Sequence, residues 1–130
     1  MANTITENVR LDGARKLVVE YHISGDGTGE ETDTVLVDWS GLTANGFSEF
    51  AIERIVWSLT GFSATLDWDA TTNVKALECV EGSDGYDFTL VGGPLINTAG
   101  TGKTGDLLFT TVGLGSGDSG TIRIEGYKRG

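Results

Sequence analysis

Glycine sets the terms on which this chain can fold. It occurs 20 times in 130 residues, against one histidine (His22), one cysteine (Cys79) and one proline (Pro94). Glycine reaches positive φ at no steric cost, so such a chain suits short strands joined by tight turns. The same inventory is poor equipment for a histidine-based triad, a zinc site or a disulfide framework. The expectation is a β-rich building block that acts through its surface. It is not expected to be an enzyme, and no cofactor or resident metal is expected.

One domain is the prior for this length, here spanning residues 1–130. A chain of this size buries roughly two-thirds of the surface its unfolded form exposes, so it needs neither metal nor disulfide for a core. The apolar fraction is a modest 38%, which leaves room for stabilisation by a partner or by copies of itself. A lone cysteine makes no internal disulfide and fits a reducing compartment of synthesis. Glu78 and Glu81 beside Cys79 would raise its pKa, so a half-buried hydrophobe is expected rather than a reactive thiol. No apolar run approaches the roughly 20 residues of a membrane span. The start, Met1 to Glu7, lacks the basic and apolar regions of a signal peptide, so synthesis in a cytoplasm is expected, with retention there or exit by a route that needs no signal, and no membrane partner.

The formal net charge is −10 and unevenly spread. Residues 25–50 hold six acids and no base, whereas residues 91–130 carry a slight positive excess. Nucleic-acid binding wants a basic stripe and is disfavoured. An acidic body with near-neutral ends free to dock fits the pattern.

Several segments alternate with a period of two, which puts one face on a core and the other toward water. Leu17, Val19, Tyr21 and Ile23 form one such series. Val35, Val37 and Trp39 form another, as do Ala64, Leu66 and Trp68, and Ile122 with Ile124. Further strands are expected at 5–11, 52–60, 74–79, 86–90 and 106–112, about nine in all. Turn chemistry fills the intervals at Asp12-Gly13, 24–29, Asn45-Gly46, Thr60-Gly61, Asp84-Gly85, 92–94 and 113–120. The expected fold is all-β, an antiparallel β-sandwich of jelly-roll form. Only 48–58 competes as a helix, through Phe47, Ala51 and Ile55. Its alternation of Ile55, Trp57 and Leu59 favours a strand with one helical turn before it.

Several motifs tempt and fail. Asn97 to Thr104 nearly spells a phosphate-binding loop, with Gly102, Lys103 and Thr104 in place. Asn97 replaces the first glycine, however, and a strand pattern follows where a helix is needed. A flexible turn with a solvated lysine is expected, and 99–106 reads as an arm or tip that orders on a neighbour. Asp26, Glu30, Glu31 and Asp33 offer oxygen to a hard cation but lack EF-hand spacing. Asp67 and Asp69, with Glu53, are the candidates for paired carboxylates, and acids are abundant enough here for chance pairing. Trp39, Trp57 and Trp68, with Phe47, Phe50, Phe62 and Tyr86, read as core rather than as a sugar-stacking platform.

Three stretches carry a resemblance: Gly61 to Val74, Asn97 to Thr111, and Gly117-Asp-Ser-Gly-Thr-Ile-Arg-Ile-Glu-Gly-Tyr-Lys-Arg129. In texture and short strings they resemble small virion structural proteins of tailed bacteriophages, over about the last 70 residues. The resemblance implies a capsid decoration or cement protein, bound in many copies outside the head and bridging major capsid subunits. It implies clustering as homotrimers, location on the virion surface after synthesis in the host cytoplasm, and an N-terminal arm, here 1–6, able to pair with the shell. Arg123, Tyr127, Lys128 and Arg129, the one basic stretch of an acidic chain, are the expected docking edge. The alternatives are another virion role (head fibre, connector or tail component) or a carbohydrate-binding module for host attachment.

Overall fold

The computed structural model describes residues 3–90 and 92–130. Nine strands form: β1 (Thr4–Asp12), β2 (Lys16–Ser24), β3 (Thr34–Val37), β4 (Glu49–Thr60), β5 (Ser63–Trp68), β6 (Val74–Cys79), β7 (Gly82–Asp87), β8 (Leu107–Val112) and β9 (Ser119–Arg129). They build two antiparallel sheets, ordered β1-β2-β9-β4-β7 and β3-β8-β5-β6. Within them β2 pairs β9, β3 pairs β8, β4 pairs β7 and β5 pairs β6, so the pairs nest one inside another along the chain. Among the described residues no helix is long and apolar enough to cross a membrane.

The all-β expectation holds, and the period of two explains the core. Leu17, Val19, Tyr21 and Ile23 of β2, Ile55, Trp57 and Leu59 of β4, and Ile122 and Ile124 of β9 point inward from one sheet. Leu66, Trp68, Leu107, Phe109 and Cys79 point inward from the other, giving one shared core in a β-sandwich-like arrangement. Phe50 and Trp68 join the sheets edge-to-face, with ring centres 5.3 Å apart. All three tryptophans are buried, and the indole N–H of Trp57 donates to Val80 O at 2.9 Å.

The stretch 48–58 is strand, as its alternation indicates. No helical turn leads into it. Instead Asn45 and Gly46, with φ of 52° and 87°, close a tight turn in which Phe47 N–H meets Ala44 O at 2.9 Å. Two other elements depart from expectation. β3 stops at Val37, because Asp38 accepts Ser40 N–H and caps a short 3-10 turn, Trp39–Gly41. A bulge at Leu36 breaks the alternation, leaving Val35 46% exposed while Leu36 and Val37 are buried. β7 lies four residues earlier than the 86–90 expected. Asp84-Gly85 is not a turn, since Gly85 lies flat against the β4 backbone, where a Cβ would meet Ile55 O at 2.5 Å. The strand ends at Asp87, whose carboxylate accepts Thr89 N–H at 3.0 Å in a turn of its own.

β4 carries a bulge at Glu53, where its register on β9 shifts between Ile52 and Arg54. Opposite that shift sits Gly126, whose missing side chain lets the Ala51 carbonyl close in. A methyl there would meet backbone on a strand held from both sides. Gly126→Ala is therefore expected to lower stability by about 1–3 kcal/mol, read as a shift of the urea midpoint at constant slope.

Candidate interaction surfaces

β9 does not supply a docking edge. It lies in the middle of the five-stranded sheet, hydrogen-bonded to β2 on one side and β4 on the other. Its four candidate residues alternate between the two faces, and their environments differ. Lys128 shares the inward phase of Ile122, Ile124 and Gly126, and its side chain is 0% exposed. Its ammonium donates to the Asp12 carboxylate, to Gly13 O and to Thr43 O. Lys128 is thus withdrawn as a docking residue, because a desolvated ammonium persists only where acceptors surround it.

That ammonium fastens the β1–β2 turn to the loop before β4. Asp12 also accepts Thr43 N–H at 2.9 Å, and Asn45 donates to Ala14 O at 2.9 Å. Burial pushes the Asp12 carboxyl up, but the bonds from Lys128 and Thr43 outweigh it and hold it below its ordinary value. Arg129 is engaged too. Glu49, almost fully buried at the start of β4, takes Arg129 at 3.1 Å and Lys103 at 2.6 Å. Lys103 remains exposed, as expected, while it pairs with Glu49. The loop around it, however, is no free arm. Thr104 bonds Asp69 at 2.8 Å, Thr71 N–H donates to Thr101 O, and Asp106 accepts Trp39 N–H at 2.8 Å.

Arg123 and Tyr127 do face outward. Arg123 and Arg54 share one carboxylate, Glu125, at 3.8 and 3.9 Å, distances of charge attraction rather than hydrogen bonding. With Glu20, Ser58, Ser83 and Thr121 they line a trough of about 750 Å³ on the outer face of the five-stranded sheet. It continues into a groove of about 420 Å³ lined by Thr4, Thr6, His22, Ser24 and Thr60. His22 stands on this face, with Nε2 2.9 Å from Glu20 and Nδ1 3.3 Å from the Thr121 hydroxyl. Tyr127 carries the guanidinium of Arg15 over its ring, 5.1 Å from the centre. Arg15 was not legible as a surface anchor, since only the fold brings it against Tyr127 and Phe47.

The remaining carboxylates are dispersed. Glu30 accepts from the Thr111 hydroxyl and from Leu114 and Gly113 N–H, which hold it low. Asp26 caps Thr28, and Glu31 takes Asn3 and Thr34. Glu53 pairs Lys16, apart from Asp67 and Asp69. Among the described residues no group of three or more His, Cys, Asp or Glu is arranged to hold a metal ion. Burial pushes the Cys79 thiol up to about 12.

β1 is an edge strand, as are β7 at the opposite end of the same sheet and β3 and β6 in the second sheet, and of the four it is the longest. Among the described residues β1 pairs only with β2, leaving its second edge free. Seven of its nine residues are exposed, including Val9 at 42% and Leu11 at 46%. Thr4, Ile5 and Thr6 belong to this strand, and Asn3 is bonded to Gly29 and Glu31. So 3–6 of the expected arm are docked on the body, while residues 1 and 2 lie outside the described residues.

No protein-family model matches this chain, and no curated protein matches it significantly.

Two outcomes follow from the Lys128 clamp. Lys128→Met leaves the Asp12 carboxylate and two carbonyls short of a donor and is expected to lose about 3 kcal/mol in equilibrium unfolding. Asp12 titrates lower folded than unfolded, so its stabilisation is complete above its ordinary pKa of 3.8 and is lost as pH falls through the folded value. Asp12→Asn should therefore be less stable at neutral pH and show a flatter fall in melting temperature below pH 4 (roughly).

Proposed function

We propose that this chain is a capsid decoration, or cement, protein of a tailed bacteriophage. It binds the outside of the head, clusters with copies of itself as a trimer, and bridges neighbouring major capsid subunits. The observation that carries the reading is the open edge of β1. A nine-residue strand with seven exposed residues is a template to which a neighbouring chain can add a strand, interrupted in register by a bulge at Arg10. The nested strand pairs support the reading as well, since such an order is compatible with a jelly-roll winding, an architecture used by viral capsid domains and by lectins. Individual contacts on a shell can be weak, because repetition supplies avidity. The acidic surface keeps free copies apart before assembly.

A second reading, a carbohydrate-binding module, is favoured by the hydroxyl-rich trough around Arg123 and Thr121. Its three tryptophans are buried, however, and lend the trough no exposed stacking platform. Quantitative mass spectrometry of purified particles separates the two. The decoration reading expects this chain at a copy number comparable with the major capsid protein. Absence from the particles, together with saturable binding on a glycan array that Arg123→Ala abolishes, would replace it with the second.

A further inference from the structure

Among the described residues, every lysine and arginine but one lies against a carboxylate. The exception is Arg15, exposed in the turn between β1 and β2. This is unexpected in a chain of net charge −10, where acids outnumber bases. Its guanidinium is nonetheless held in place. It lies over the Tyr127 ring at 5.1 Å and the Phe47 ring at 5.8 Å, and its Nε donates to Lys128 O at 3.3 Å. Both terminal nitrogens are left without a protein acceptor. An arginine fixed on aromatic faces has lost little freedom when it meets a carboxylate, and Arg with Tyr is the residue pair that anchors protein contacts.

Asp67 is the converse. It alone among the described carboxylates has neither a hydrogen bond nor an ion pair. It lies on the outer face of the four-stranded sheet, opposite Leu108 on β8 and Lys75 on β6. Burial, and then the neighbouring charge of Asp33, push its carboxyl up, and Lys75 offsets them only in part. A cation arriving here offsets the charge of Asp33 and favours the ionised carboxylate.

Resting on the reading that copies of this chain associate, we propose that Arg15 of one copy docks on Asp67 of the next. Arg15 sits in the β1–β2 turn over Tyr127 of the five-stranded sheet, whereas Asp67 stands on the outer face of the four-stranded one. A repeated contact of this kind joins copies reciprocally across a two-fold axis or head-to-tail into a ring.

The test is sedimentation of the full chain at low and high ionic strength, with circular dichroism and melting curves as a check on folding. The wild type should associate, and less so as salt screens the pair. Arg15→Met keeps the packing on the two rings and removes the charge, and should weaken association at least about tenfold without loss of fold. Asp67→Asn should weaken it equally while raising the melting temperature of the monomer, because the strained charge is gone. Arg15→Asp with Asp67→Arg in the same chain should restore what either reversal alone abolishes. A wild type that stays monomeric, single variants that associate like the wild type, or a double reversal that restores nothing each overturn the contact. A monomeric chain that is nevertheless abundant on particles overturns the contact and leaves the decoration reading standing. Intact, Arg15-dependent association of a chain absent from particles does the reverse.

Discussion

The pairing of β4 with β9 is the interaction on which the rest of the structure depends. These are the two longest strands, and their ladder runs from Glu49↔Arg129 to Thr60↔Ser119. It places Ile55 beside Ile124 and Trp57 beside Ile122, so the centre of the core is set by this one register. A slip of one residue would send those side chains to solvent. The bulge at Glu53 absorbs the one irregularity, keeping Phe50 and Ile52 buried alongside Ile55 and Trp57. β2 attaches on the far side of β9 and β7 on the far side of β4, so the whole five-stranded sheet hangs on this pair.

Charge is sorted by the same geometry. Where the sheet ends, two ionic centres are drawn inside. Lys128 is surrounded by Asp12, Gly13 and Thr43, and Glu49 by Arg129 and Lys103. Each fastens a loop to the body and joins segments far apart in sequence. The acids left over cap turns, as Asp26, Asp87 and Glu30 do, where hydroxyl and backbone donors favour the ionised form. The surface is therefore acidic without being unstructured. Arg15 and Asp67 stand out because neither has been absorbed into this scheme.

Much of the fold was legible wherever alternation is regular. β2, β5 and β9 read directly from Leu17 to Ile23, Ala64 to Trp68 and Ile122 to Ile124, and the turns at Asp12-Gly13 and Asn45-Gly46 follow from their residue types. The misreadings have particular causes. Gly85 resembles a turn residue but serves close approach between strands, and Trp39 keeps the strand phase while Asp38 caps a turn. Lys128 was read as exposed from its charge. Its phase with Ile122, Ile124 and Gly126 argued otherwise and was visible in the sequence. The candidate surfaces were far less legible. The trough requires β2, β4, β7 and β9 side by side, and the stacking of Arg15 requires Phe47 and Tyr127 from distant segments, contacts for which no local pattern exists.

The central position of the last strand governs how the molecule is made. β9 enters between β2 and β4, which form no ladder with each other. Until residues 119–129 leave the ribosome, β1-β2 and β4-β7 remain two separate ribbons with apolar faces uncovered. Completion of the core thus waits for β9 and is built on pairings remote in sequence, the slow kind. A nascent copy stays unfinished, and unable to present its mature outer faces, until β9 has been made and inserted.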